Sequence, residues 1–126
     1  MNAIAVTIPM RAMPKPRDGR HSWVNGVHQK AKYLAWRDEF RLRVAGKFPV
    51  VYGGPVAMYV GFWIKGSPAK KPRQFQNRGD ADNLVGAVMD VLNGIAYEDD
   101  RQVMKLEIEI FERQADDLIS VRVSPR

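Results

Sequence analysis

The stretch Asn77–Val103, "NRGDADNLVGAVMDVLNGIAYEDDRQV", carries six acidic residues in a chain whose net charge is +6. Its apolar pattern is helical: Leu84, Val85, Val88, Met89 and Leu92 share one side of a 3.6-residue repeat. A helix is therefore expected from Asp82 to Asn93, with Asn93-Gly94 as its stop. On its N-terminal side, Val56 to Ile64 is almost continuously apolar, the pattern of a central strand covered on both faces. On its C-terminal side, Met104, Leu106, Ile108 and Ile110 alternate with Lys105, Glu107 and Glu109, as in a half-buried strand. A helix between two strands is thus the centre of the fold.

Working outward, Ile4, Val6, Ile8 and Met10 alternate as a first strand. "RAMPKPRDGRHSWVNGVHQK" is rich in proline, glycine and cations and reads as a loop. From about Gln29 to Ala45 the pattern turns helical, with Tyr33, Trp36, Phe40 and Val44 on one stripe and Gly46 as the stop. "KGSPAKKPRQFQNRG" is a second basic loop. Ile119, Val121 and Val123 form a last strand, and "ERQADD" before it reads as the turn of a terminal antiparallel hairpin. The order strand-helix-strand-helix-strand-strand predicts a small α/β domain spanning residues 1–126, with a mixed four-stranded sheet and two helices.

The chain has no cysteine, which excludes disulfides, thiolate nucleophiles and cysteine-based zinc sites. No apolar run is long enough to span a bilayer, and the N-terminus lacks the basic lead of a secretory signal, so no membrane role is expected. Charge is polarised along the chain. Residues 1–78 hold fifteen Lys/Arg against three Asp/Glu, while residues 79–126 hold five against eleven. The basic part suits a polyanionic partner; the alternative is that the charges intermix on the folded surface.

Asp80 and Asp82 lie two apart, so in an extended backbone both carboxylates face one side. Asp82 stands where an N-cap belongs, but a cap explains neither Asp80 nor the second knot, Glu98-Asp99-Asp100. If the returning loop folds back along the helix, Asp99 or Asp100 joins them. Clustered carboxylates repel unless a cation neutralises them, and an oxygen-only ligand set suits Mg²⁺ or Mn²⁺. An EF-hand is excluded, because Leu84, Val85 and Val91 occupy its required polar, glycine and glutamate positions. His21 and His28 form no recognisable zinc pair. With no Ser/His pair and no Walker loop, and hence no nucleotide cofactor, metal-assisted phosphodiester hydrolysis makes the best use of these residues. Lys15, Arg17 and Arg20, with Lys70, Lys71 and Arg73, are the expected phosphate contacts. Phe75 can stack on an unpaired base, whereas Trp23 is read as packing against the sheet.

"DADNLVGAVMDVLNGIAYEDDRQV" resembles the signature of the RusA family of Holliday-junction resolvases, and "IPMRAMPKPR" is similar to that family's opening strand and Pro-rich basic loop. The resemblance implies a Mg²⁺-dependent endonuclease (Mn²⁺ as a substitute), cytoplasmic and bacterial or phage-encoded. It implies a homodimer that makes paired nicks in four-way DNA junctions during recombination and repair. By position Asp80, Asp82 and Asp100 match the family's catalytic and metal-binding carboxylates, and Asp90 a further recurrent acidic position, weighed here as helix surface or a structural contact. The family usually carries a lysine four residues after the second aspartate; here that residue is Gly86. Either another cation substitutes, among Lys70, Lys71, Arg73, Arg78 and Arg101, or the protein binds junctions without cutting them. Arg78 is also counted among the expected DNA contacts.

Overall fold

The computed structural model describes residues 2–16 and 23–126, with the backbone alone over 23–29. Arg17, Arg20, His21 and the side chains of Trp23 and His28 therefore lie outside the described residues. The element order is the expected one: β1 (Ile4–Ile8), α1 (Trp23–Val44), β2 (Val56–Lys65), α2 (Ala81–Leu92), a short helical turn (Asp100–Gln102), β3 (Val103–Gln114) and β4 (Leu118–Pro125). Helix α1 begins six residues before its expected start at Gln29. The residues that read as loop there include Gly26, which weakens a helix without ending one, and no proline follows Pro16 until Pro49. The helix stops where expected, with Gly46 at φ 77.

The four strands form one mixed sheet in the order β1-β4-β2-β3. β4 pairs antiparallel with both β1 and β2, and β3 pairs parallel with β2. The expected terminal hairpin is therefore absent among the described strands: β2 lies between β3 and β4. Residues 115–117 carry the chain across the end of β2, spanning two inter-strand spacings, roughly 9.6 Å. Asp117 closes the crossing by accepting the Lys65 N–H at 2.8 Å. A short polar link between two alternating strands looks like a hairpin turn whether or not a third strand is inserted, so pattern alone favoured the simpler pairing.

Register fixes which face is covered. Val6 pairs with Val121, Val121 with Val60, and Val60 with Ile108; the first three are buried and Ile108 packs against them. On that face Phe40, Val44, Leu84, Val88, Val91 and Leu92 from the two helices complete the core. Helices cover only one face of the sheet, contrary to the expectation for β2. On the other face β2 covers itself: the Trp63 ring folds over Gly61, where an added Cβ would lie 2.7 Å from it, and stacks on Phe111 at 4.7 Å between centroids. Aromatic self-covering produces the same apolar run in sequence as burial between two layers. The edge strand β3 also departs from its pattern, since Met104 and Leu106 are exposed at 61% and 39% despite their alternation.

Candidate active site

Helix α2 runs from the far end of β2 back towards the start of β3, so its two ends hold different groups. Its N-cap is Asp80, two residues earlier than the Asp82 expected, with extended φ −76 and ψ 151. The Asp80 carboxylate makes no capping hydrogen bond; its carbonyl accepts the Leu84 N–H at 3.0 Å. Asp82 sits in the first turn, where the helix dipole favours an anion. Both aspartates are exposed.

The loop after β1 docks onto this helix start. Gly79, at φ 93, leaves room for the Pro14 ring, whose Cβ would stand 2.7 Å from a side chain there. The Lys15 N–H donates to the Asn83 carbonyl at 3.1 Å. The Lys15 ammonium then reaches Asp90 at 2.6 Å. This hydrogen bond holds the lysine above its ordinary value, so it stays charged throughout the neutral range.

The second acidic knot divides its labour. Asp99 caps the short turn: its carboxylate accepts the Arg101 N–H at 2.8 Å, and Gln102 accepts the Asp99 N–H at 2.8 Å in return. This is a capping box, and the sequence Asp99-Asp100-Arg101-Gln102 contains its spacing. The Arg101 N–H and side chain hold Asp99 below its usual value. Gln102 also donates to the carbonyls of Tyr52 and Gly54, both at 2.8 Å, pinning the turn. Asp100 has no such duty and is pushed up, first by burial, then by a hydrogen bond with Asp99 and the charges of Asp99 and Asp90. Lys15 opposes that shift.

The structure thus groups Asp100 with Asp90 and Lys15. Asp80 and Asp82 stand at the other end of α2, and the helix climbs about 12 Å from Asp82 to Asp90. Among the described residues, no three His, Asp or Glu side chains form a group that could hold a metal ion. The donors are nevertheless all oxygen. Mg²⁺ takes one or two carboxylates and fills its shell with water and phosphate, so it asks less of these separated donors than a closed Ca²⁺ cage would.

The basic loop between β2 and α2 is ordered by two internal anchors. Gln74 accepts the backbone N–H groups of Lys70 and Lys71 at 3.2 and 3.3 Å. That leaves Lys70, Lys71 and Arg73 exposed, with Phe75 beside them at 77% exposure. Arg78 is the other anchor. It pairs with Glu112 at 2.8 Å and donates to the Gly79 carbonyl at 2.7 Å, four-fifths covered. Its guanidinium fixes the loop to β3, so it is not poised as Lys70 and Lys71 are. Arg101 is exposed and paired with Asp99.

Burial alone would raise Glu112, but the Arg78 hydrogen bond and the Gln76 N–H outweigh it and hold the carboxyl below its usual 4.5. A depressed carboxyl stabilises the fold above its unfolded value and ceases to do so as pH falls through its folded one. Glu112→Gln is therefore expected to cost about 2 kcal/mol at pH 7. In urea titrations the gap between the two proteins should close below about pH 4. A gap independent of pH would show that the carboxylate charge is not what holds the loop.

Against known families, the model of endodeoxyribonuclease RusA matches residues 9–124. No curated protein matches the chain closely.

Proposed function

Because the chain belongs to the endodeoxyribonuclease RusA family, we propose that it cuts four-way DNA junctions by metal-dependent phosphodiester hydrolysis. The observation that carries this reading is the face of α2: Asp82, Gly86 and Asp90 at one-turn spacing, with Asp100 against its far end and Lys15 laid across it. Asp80, Asp82 and Asp100 are the carboxylates assigned to Mg²⁺ or Mn²⁺, which when bound would activate water and offset charge on the phosphate; Asp100 stands at the opposite end of α2 from the other two, so one ion would not join all three within a protomer. Water attacks phosphorus and gives up a proton to solvent, the bond to one strand's sugar oxygen breaks, and that oxygen leaves as a hydroxyl with a proton from solvent. The protein's share is to place the phosphate. Lys70, Lys71 and Arg73 hold the neighbouring backbone and are joined in this assignment by Arg17, which lies outside the described residues. Phe75 offers a face on which an unpaired base at the crossover can stack.

A four-way junction has two equivalent strands to cut, so paired nicks call for two such sites related by a twofold axis, hence a homodimer. Among the described residues no helix is long and apolar enough to cross a membrane. The second reading, a protein that binds junctions without cutting, rests on Gly86 standing where a lysine is usual. One assay separates them: synthetic four-way junction, linear duplex and mononucleotide esters, each with Mg²⁺, Mn²⁺ or EDTA. Paired nicks in the junction alone, lost in EDTA, are expected. Tight, salt-sensitive junction binding with no cleavage in either metal would establish the second reading.

A further inference from the structure

We propose that Lys15 supplies the cation of the cutting site, its ammonium passing over the bare Gly86 face of α2 to contact a non-bridging oxygen of the phosphodiester to be cut. The proposal rests on the junction-cutting reading above. Three anchors place this one side chain. Pro14 is seated on Gly79, the Lys15 N–H is bonded to the Asn83 carbonyl, and the ammonium lies on Asp90. Between the last two anchors the lysine stem crosses Gly86, where an added Cβ would meet Lys15 Cδ at 4.0 Å and nothing nearer. The space left by a missing helix side chain is thus occupied by a lysine from another part of the chain.

A purely structural role accounts poorly for this arrangement. The ion pair is open, with Lys15 49% and Asp90 35% exposed, and pairs so exposed contribute little to stability. Glycine within a helix also weakens it relative to alanine. Together, however, they deliver a cation to the acidic face of α2, beside Asp90 and within the field of Asp100. At rest Asp90 holds the ammonium. An entering phosphate competes for it, and a cation already positioned there offsets the charge that builds on phosphate oxygens during displacement. Lys70, Lys71 and Arg73 lie on a different loop, while Arg78 and Arg101 are paired with Glu112 and Asp99.

The test compares wild type with Lys15→Ala, Lys15→Met, Gly86→Lys and the double variant Lys15→Met/Gly86→Lys. Lys15→Met keeps an apolar stem over Gly86 and removes only the charge. Single-turnover junction cleavage in Mg²⁺ should fall about 100-fold in both single Lys15 variants. The double variant should regain at least roughly tenfold, since a lysine at position 86 projects from the same face. Junction binding in EDTA across a salt series is the second readout, and each Lys15 variant should lose about 0.9 from the salt slope, the value for one phosphate contact. Cleavage by Lys15→Met within about threefold of wild type overturns the proposal, as does an unchanged salt slope. If wild type itself cuts no junction, the reading of function fails, and the slope still decides whether Lys15 touches phosphate.

Discussion

Asp100→Asn is expected to abolish junction cleavage, by at least roughly 10³-fold, while leaving junction binding intact or tighter. Asparagine preserves the side chain's shape but removes the charge that a hard cation needs. It also removes a negative group from a surface that must accept phosphate. A second consequence has the opposite sign. Burial, the Asp99 hydrogen bond and the Asp90 charge raise Asp100 above its usual value, so the folded protein disfavours the ionised form. A raised carboxyl costs stability at neutral pH, and the cost is relieved as pH falls through its folded value. The variant should therefore unfold at a slightly higher urea concentration than wild type at pH 7, a difference that shrinks in acid. Loss of activity with a gain in stability is the mark of a charge kept for chemistry. Cleavage retained within about tenfold would remove Asp100 from the reaction. Asp99→Ala makes the contrast, because Asp99 serves the capping box and its loss should disturb the turn before it touches chemistry.

Much of this could be read from the chain, for reasons that differ by feature. The six main elements follow from local periodicity, which α2 and the alternating strands state directly. Strand order does not, because inserting β2 between β3 and β4 is settled by how the sheet closes over the helices. The exposure of Met104 and Leu106 escaped for the same reason, since an edge position leaves no trace in alternation. The choice between Asp99 and Asp100 was legible in principle. Asp99-x-x-Gln102 is a capping-box spacing, and reading it assigns Asp99 to the turn and leaves Asp100 for other work. Gly86 announced a missing side chain, but what fills its place comes from Lys15, 71 positions earlier, and only folding brings the two together. Arg78 shows the converse: a cation beside the acidic motif in sequence spends its hydrogen bonds on Glu112 and Gly79.

Tyr97→Ala is expected to cost about 4 kcal/mol, close to the whole margin of a small domain. Tyr97 is fully buried in the core. Its hydroxyl donates to the Met89 carbonyl at 3.1 Å, one residue before Asp90, and its own carbonyl accepts the Gly94 N–H at 2.7 Å. Burial, then the charges of Asp100, Asp90 and Asp99, push the phenol well above its ordinary value, so it remains a donor through the alkaline range. One residue thus ties the end of the helix that presents Asp90 to the loop that presents Asp100. Truncation should lower the urea midpoint steeply and scatter the two carboxylates together. Tyr97→Phe separates the two contributions. It keeps the ring, loses one hydrogen bond worth about 1 kcal/mol, and should preserve the fold. If chemistry requires Asp100 to be held against Asp90, cleavage in Tyr97→Phe should fall several-fold at saturating junction with binding unchanged. Equal cleavage in Tyr97→Phe and wild type would mean that the ring alone sets the spacing.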